Sequence, residues 1–188
     1  MAVLPIRITG EPVLHEPATP VTAFDDTLTT LVADMFDTMA EAPGVGLAAP
    51  QVGVGLRLFV FNWTDDDGVL WRGTAINPEL WVSPTPLHEA DEDDESEGCL
   101  SLPGERFPLV RADRAILRAV DLDQKPFEIV ADGWLARIFQ HEYDHLDGVL
   151  YVDRLAHEHR KAVAKVIRKK GWGVTGESWL PGEDHLEG

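Results

Sequence analysis

The chain of 188 residues contains a single cysteine, Cys99. It can therefore form no intrachain disulfide, which fits a reducing compartment such as the cytoplasm. No apolar run approaches the roughly eighteen residues that a membrane span requires. The first ten residues include Pro5, Arg7 and Gly10 instead of a basic start followed by a long apolar stretch, so we expect no secretory signal. These absences predict a soluble, cytoplasmic protein that has no membrane partner.

Basic residues are also scarce, because 16 Lys and Arg stand against 33 Asp and Glu, a formal net charge of −17. So negative a surface repels phosphate backbones, which argues against general nucleic-acid binding and against DNA as a partner. Much of the acid lies between Glu89 and Glu97, just ahead of Cys99. This run predicts a solvated loop. An alternative is that it favours basic peptides as substrates.

Residues 141–145 read His-Glu-Tyr-Asp-His. On a helix, His141 and His145 lie four residues apart on one face, so both imidazoles can reach a single cation. Glu142 lies about 100° round the helix from His141, close enough to act as a general base without binding the metal itself. The motif therefore predicts a hydrolase that uses a metal-bound water.

Two histidines leave such a site in need of a third protein ligand and a position for water. Proteases of the metzincin type place the third ligand six residues after the second histidine, where this chain has Tyr151. Proteases of the thermolysin type use a downstream glutamate, for which Glu158 is the candidate, although it follows His145 closely. Neither position fits well.

Cys99 is the stronger candidate for the third ligand. Gly98 permits a close approach of the backbone, and residues 100–103 continue as an extended run. The thiolate can then be presented beside backbone N–H groups instead of being packed away. A small buried hydrophobic residue is the competing interpretation of a lone cysteine.

A run of small residues at 44–51 ends in the carboxamide of Gln51. It is not a dinucleotide-binding turn, because that fingerprint follows a strand and opens a helix, whereas this run follows a predicted helix and leads into a strand. A mobile loop is one interpretation. The other is that the small residues let a substrate backbone lie against the protein backbone, while Gln51 offers an N–H to a developing oxyanion.

Residues 44–51, 97–101 and 140–145 resemble, in this order, the three signature motifs of bacterial peptide deformylases. Residues 76–78 and 145–148 are similar to that family too, and the resemblance runs from about residue 3 to about residue 170. It implies a metal-dependent amide hydrolase whose partners are N-formylmethionyl nascent peptides. The enzyme would remove the N-formyl group and release formate.

The resemblance also implies metal ligands and a catalytic carboxylate at matching positions. Cys99, His141 and His145 would bind one divalent metal, and Glu142 would act as general base and then as general acid. Imidazole and thiolate ligands suit iron, zinc, cobalt and nickel alike. The family favours Fe²⁺ as the physiological metal, with Zn²⁺, Ni²⁺ or Co²⁺ as substitutes.

Further roles follow from the same resemblance. The side chain of Gln51 and the backbone N–H of Leu100 would be the oxyanion donors. Gly46 would pair with the substrate backbone, and Val45, Leu100 and Trp134 would line the pocket for the methionine side chain. Trp134 is larger than the aliphatic residue expected there, and an ordinary core tryptophan is the alternative interpretation.

Two charged features complete these expectations. Glu97 would pair with Arg111 and so hold the cysteine loop in place. From residue 154 to residue 172 the sequence has seven basic residues against Glu158 alone, with apolar residues at helical spacing. An amphipathic helix packed on the core explains the pattern, and the resemblance implies in addition a ribosome contact through its basic face.

Two other classes of function remain open from the sequence. A zinc endopeptidase would share the helical motif but would need a third ligand other than Cys99. A metal-binding module without activity, or a catalytically lapsed relative, would have no task for Glu142.

The hydrophobic pattern predicts an α+β domain, with antiparallel or mixed β-sheets packed around the central helix that carries the histidines, and a C-terminal helix. We predict helices at 25–41, 133–146 and 154–170, and strands at 56–63, 71–76, 115–122 and 126–131. Residues 1–170 would form a single catalytic domain. Residues 171–188 would be a tail, either disordered or docked through Trp172 and Trp179.

Overall fold

The computed structural model describes residues 2–186. Its elements are the helices α1 (Asp26–Glu41), α2 (Gly133–Leu146) and α3 (His157–Lys170), and the strands β1 (Ile6–Arg7), β2 (Gly46–Ala48), β3 (Leu58–Thr64), β4 (Leu70–Val82), β5 (Ser96–Cys99), β6 (Leu102–Pro108), β7 (Arg114–Val120), β8 (Pro126–Asp132) and β9 (Ser178–Trp179). Strands occupy the middle of the chain and helices flank them, so the predicted α+β class is confirmed. Within the described part of the chain, no helix is long and apolar enough to cross a membrane.

The principal sheet has five antiparallel strands in the order β2-β3-β4-β7-β8. One of its faces is covered by α2, the helix that carries both histidines. Phe139 of α2 lies edge-on to Phe61 of β3, with ring centroids 5.2 Å apart, and 6.2 Å from the ring of Phe59. Each of these rings is almost fully buried. This aromatic cluster fixes the helix on the sheet, as the predicted architecture requires.

Helix α1 begins where the sequence supplies a cap. The carboxylate of Asp25 accepts a hydrogen bond from the N–H of Leu28 at 3.0 Å, which satisfies one of the free donors of the first turn. One face of the helix, from Leu28 to Met39, is buried against β2 and β3. The helix ends before Pro43, which leads directly into the small-residue run at 44–51.

That small-residue run is ordered. Gly46–Ala48 forms the edge strand β2, paired with Phe59–Phe61 of β3, and residues 49–52 follow as a 3₁₀ turn. The interpretation as a mobile loop is therefore wrong. The short edge strand places Gly46 beside α2 and turns Gln51 toward the cysteine loop.

The predicted boundaries differ from the observed ones by more than two residues at two places. Strand β4 continues to Val82 instead of ending at residue 76, because Asn77 adopts a positive φ of 51° and a register shift lets the strand resume its pairing with β7. The side-chain amide of Asn77 accepts a hydrogen bond from the N–H of Val21 and donates one to its carbonyl, each at 2.8 Å. Helix α3 begins at His157 instead of residue 154, because residues 151–153 form a 3₁₀ turn in which Asp153 accepts from the N–H of Leu150.

Two small sheets complete the fold. The hairpin β5–β6 carries Cys99, and β1 pairs with β9 near the two ends of the chain. Trp172 and Trp179 are buried, and the C-terminal segment runs back along β1. Residues 187–188 lie outside the described residues, and the division of the chain at residue 170 stays a prediction.

Candidate metal centre

Helix α2 presents His141 and His145 to a common point. They lie one helical turn apart, and their Nε2 atoms are 3.2 Å from each other. Both side chains are buried. The predicted placement of the two imidazoles on one helix face is therefore confirmed, with the rings edge-on to each other at an interplanar angle of 72°.

The third member of the cluster comes from the hairpin β5–β6. Cys99 ends β5, and its Sγ lies 3.3 Å from Nε2 of His145. The ligand atoms of Cys99, His141 and His145 all lie within 4.8 Å of one another. Residues that are 42 positions or more apart in sequence are thus brought to one point by packing the hairpin against α2.

This donor set fits a single divalent cation. Imidazole and thiolate ligands at about 2.0 to 2.3 Å from a tetrahedral ion lie roughly 3.3 to 3.6 Å from each other. The observed separations of 3.2 and 3.3 Å are close to that range. The chemistry of the set, two neutral nitrogens and one thiolate, suits iron, zinc, cobalt or nickel.

Glu97 orients one of these ligands. Its carboxylate lies 2.6 Å from Nδ1 of His141, so that Nε2 of the same ring is directed to the cluster. Burial raises the pKa of Glu97, but Arg111 and His141 outweigh burial and hold that pKa well below its usual range. Burial likewise lowers the pKa of His141, yet Cys99 and Glu97 raise it well above its ordinary value. The surroundings of His141 therefore favour positive charge at this point.

The predicted pair of Glu97 and Arg111 is confirmed. Arg111 donates to both oxygens of Glu97, at 2.6 and 3.0 Å, and to Asp144 at 2.6 Å. Arg154 contacts the same carboxylate of Asp144 at 2.6 Å. A chain of charged contacts therefore runs from the loop after α2 through Asp144 and Arg111 to Glu97 and the metal ligand.

The sequence did not predict that three further residues, Arg137, Asp144 and Arg154, support the metal site. Asp144 and Arg137 lie on the same face of α2 as His141, three residues after it and four before it, and that spacing was the available signal. Arg137 donates to Glu97 at 3.1 Å and to the carbonyl of Leu109 at 2.7 Å. The role of Arg154 depends on the path of the chain beyond α2, which has no local signature.

Glu142 is buried beside the cluster and lines a cavity. Its Oε2 atom has no hydrogen-bond partner among the described residues. Burial raises the pKa of Glu142 to about 7, although His141 opposes this shift. A carboxylate with such a pKa can both accept and return a proton near neutral pH.

Gln51 faces the same point from the 3₁₀ turn. Its Oε1 accepts from the N–H of Ala48 at 2.9 Å, which leaves Nε2 directed at the cysteine loop. Nε2 lies 3.6 Å from Sγ of Cys99 and 3.4 Å from the hydroxyl of Ser101. The amide therefore offers its donor, not its acceptor, to this side of the site.

A cavity of about 630 Å³ opens above these groups. Its lining includes Val45, Gly46, Leu100 and Trp134, together with Cys99, His141 and Glu142, whereas His145 is buried and is not part of the lining. Trp134 is 41% exposed, so its interpretation as a core tryptophan is wrong. Its ring lies 6.5 Å from that of Trp63, and the guanidinium of Arg137 lies 5.2 Å from its centroid.

The rival third ligands are excluded by their positions. The hydroxyl of Tyr151 donates to the carbonyl of Glu105 at 3.1 Å, and its ring stacks on His141 at a centroid distance of 6.0 Å. Glu158 has a side chain that is 72% exposed and faces His159. Cys99 is the residue that completes the cluster.

The fold is α+β, and it brings two histidines and a cysteine together beside a buried glutamate at a cavity. This arrangement is that of a metal-binding hydrolase. The family model described as polypeptide deformylase matches residues 3–161 of this sequence. The chain belongs to that family, and its Cys-His-His cluster is a deformylase metal site.

Individual relatives agree with this assignment. The chain is 49% identical to a peptide deformylase of Tropheryma whipplei, over 96% of this chain and 94% of the relative. It is 50% identical to one of Rhodococcus opacus, over 97% and 95% of the two chains. Among solved structures, the peptide deformylase of Synechococcus elongatus in complex with actinonin has a TM-score of 0.78 at 37% identity, covering 91% of both chains. That of Legionella pneumophila has a TM-score of 0.75 at 41% identity, covering 90% and 96%.

Proposed function

We propose that this deformylase acts on N-formylmethionyl nascent peptides in the cytoplasm, with Glu142 as its general base and acid. The observation that carries the proposal is the buried carboxylate of Glu142. One of its oxygens has no partner among the described residues, and it lies beside three convergent metal-ligand side chains at the cavity. The covalent change is hydrolysis of the formamide C–N bond, which releases formate and a free amino terminus.

A divalent cation held by Cys99, His141 and His145 would lower the pKa of water to about 7 and polarise the formyl carbonyl. Glu142 takes a proton from the attacking water. It then delivers that proton to the nitrogen of the leaving amine as the C–N bond breaks. Its raised pKa suits both steps, because the group must be ionised in the first and protonated in the second.

Negative charge develops on the formyl oxygen during attack. Nε2 of Gln51 and the backbone N–H of Leu100 are the proposed donors to this oxygen. Both line the cavity next to Cys99, and the acceptor side of Gln51 is already occupied by the N–H of Ala48. Each donor of this kind contributes about 3 to 4 kcal/mol to transition-state stabilisation in other enzymes.

The cavity supplies the proposed contacts for the peptide. Gly46 lies on the edge strand β2 and lines the cavity, where its backbone can pair with an extended substrate. Val45, Leu100 and Trp134 offer apolar surface for the methionine side chain. The indole of Trp134 gives this wall an aromatic surface, against which a thioether packs well.

Fe²⁺ is the proposed physiological metal, with Zn²⁺, Ni²⁺ or Co²⁺ as substitutes. Support comes from the donor set, since imidazoles and a thiolate bind all of these ions, and from the resemblance of the three motifs. Protein loaded with Fe²⁺ should therefore have the higher specific activity and should lose it in air as the metal and the thiolate of Cys99 oxidise. Equal specific activities of iron-loaded and zinc-loaded protein, both unchanged after hours in air, would contradict this assignment.

Formate release from a formyl-Met-Ala-Ser peptide tests the proposed chemistry. The protein is purified without oxygen and loaded with Fe²⁺, and Glu142→Ala is measured in parallel. We expect release by the wild type and a loss of about 10² to 10⁴-fold in the variant, which is the usual contribution of a general base. Glu158→Ala, a change of the same kind at an exposed helical site, is the matched control and should retain full activity.

Two outcomes would overturn the proposal. A folded, metal-loaded wild type that releases no formate would be a catalytically lapsed relative. A Glu142→Ala variant with wild-type activity would remove the proposed role from that residue. Cleavage of internal bonds in an unformylated peptide would instead favour the endopeptidase alternative.

A further inference from the structure

The turn that follows the cysteine ligand is held from outside its own hairpin. Cys99 of β5 pairs with Leu102 of β6, and a register shift occurs between Gly98 and Cys99. Leu100 and Ser101 therefore form the tip of the hairpin. The carbonyls at such a tip lie outside the strand ladder and need other partners when they are buried.

Those partners come from the two ends of the chain. The carbonyl of Ser101 accepts from the N–H of Thr9 at 2.9 Å. The carbonyl of Leu100 accepts from Nε1 of Trp179 at 2.8 Å, across 79 positions of sequence. The metal-ligand loop is thus tied to an indole in the C-terminal segment.

Trp179 is itself rigidly placed. Its side chain is 1% exposed, and its backbone pairs with Ile6 in the small sheet of β1 and β9. Its ring belongs to the apolar cluster that also contains Cys99, Leu102 and Tyr151. Because the ring is packed on all sides, its N–H is a fixed donor.

We infer that Trp179 is a positioning residue that holds the Leu100 peptide in the orientation needed for oxyanion binding. This inference rests on the proposed function, in which the N–H of Leu100 is an oxyanion donor. The N–H and the carbonyl of Leu100 are separated by one pair of backbone dihedrals. Trp179 thus fixes the peptide plane between Leu100 and Ser101, and the N–H in the preceding plane can then turn only through φ and ψ of Leu100. An oxyanion donor stabilises the transition state only when it is aimed correctly.

A positioning role and a role in folding alone predict different changes in kcat when Trp179 is replaced. Loss of a complete oxyanion donor costs about 10² to 10³-fold in kcat. A donor that is retained but less well aimed should cost less, about tenfold. Substrate binding does not use the developing charge, so KM should change little. A tail that serves folding alone would lower the melting temperature and leave kcat per folded, metal-loaded molecule unchanged.

The test compares Trp179→Phe with Trp172→Phe in the full-length, iron-loaded enzyme. Trp179→Phe keeps an aromatic ring in the apolar cluster and removes the N–H donor. Trp172→Phe removes a second buried indole from the same segment, one whose ring faces Lys170. The kinetic constants for formyl-Met-Ala-Ser, the bound metal and the melting temperature are measured for each variant.

We expect Trp179→Phe to lower kcat about tenfold while KM stays within twofold, and Trp172→Phe to leave kcat unchanged. If ring size accounts for the loss, replacing Trp179 by benzothienylalanine, which has the same shape without the N–H, will restore activity and overturn the inference. Wild-type kcat in a folded Trp179→Phe enzyme also overturns it. An inactive wild type would instead be a failure of the proposed function, so the two failures are distinguishable.

Discussion

At the scale of single residues, Gly46 leaves the space that the side chain of Glu142 occupies. A Cβ atom added at Gly46 would lie 2.3 Å from Oε1 of Glu142, which is far inside contact distance. Gly46→Ala must therefore displace the proposed general base from its buried position. Since a positioned base contributes about 10² to 10⁴-fold, we expect kcat/KM for formyl-Met-Ala-Ser to fall at least about a hundredfold.

Gly55→Ala is the matched control for this change. A Cβ at Gly55 would meet its nearest neighbour, Val13, at an ordinary 3.8 Å, and the backbone there is not left-handed. It should retain wild-type kinetics. Normal activity of a folded Gly46→Ala enzyme would show that Glu142 does not need the position it occupies here.

At the scale of secondary-structure elements, the metal site joins the hairpin β5–β6 to α2 through Glu97. Its carboxylate is buried and contacts His141, Arg111 and Arg137. Outer contacts of this kind typically contribute about 10 to 100-fold to metal affinity. We expect Glu97→Gln to weaken Co²⁺ or Zn²⁺ binding by that factor in a competition titration against a chelator.

Glu128→Gln provides the comparison, because Glu128 pairs with Arg118 at 2.7 Å on the exposed part of the principal sheet. Exposed pairs contribute little, so neither metal affinity nor stability should change measurably there. If a folded Glu97→Gln variant binds metal as tightly as the wild type, the orientation of His141 does not depend on this carboxylate.

Some secondary-structure elements could be predicted from the sequence alone, and others could not. The three helices and the strands β3, β7 and β8 could be predicted to within a few residues, whereas β4 runs six residues beyond its predicted end and β6 was not predicted. The small sheet of β1 and β9 could not be predicted, because two-residue strands are too short to show alternation. Local spacing also explains which site residues could be predicted. His141 and His145 lie four residues apart on one helix, which the sequence shows directly. The contact of Trp179 with Leu100 depends on the long-range path of the chain, which leaves no local signal.

At the scale of the whole molecule, charge is sharply divided. The chain has a net charge of −17, yet the outer face of α3 is basic. The side chain of Val163 faces the core, whereas the basic residues of this helix are exposed, namely Arg160, Lys161, Lys165, Arg168, Lys169 and Lys170. Such a face on an otherwise acidic molecule can attract a polyanion in one orientation only. We therefore propose that α3 makes the ribosome contact that the resemblance implies, through ribosomal RNA.

Ribosome binding through α3 should be electrostatic and separable from catalysis. We expect cosedimentation with ribosomes at low salt and its loss as the salt concentration rises, because phosphate contacts release counterions. The combined variant Lys161→Gln, Lys165→Gln and Lys169→Gln should abolish cosedimentation and leave formate release from a free peptide unchanged. Lys125→Gln, an exposed lysine in the turn between β7 and β8, should behave as the wild type. Retention of the triple variant, or a wild type that fails to bind at low salt, would refute a ribosome contact at this helix.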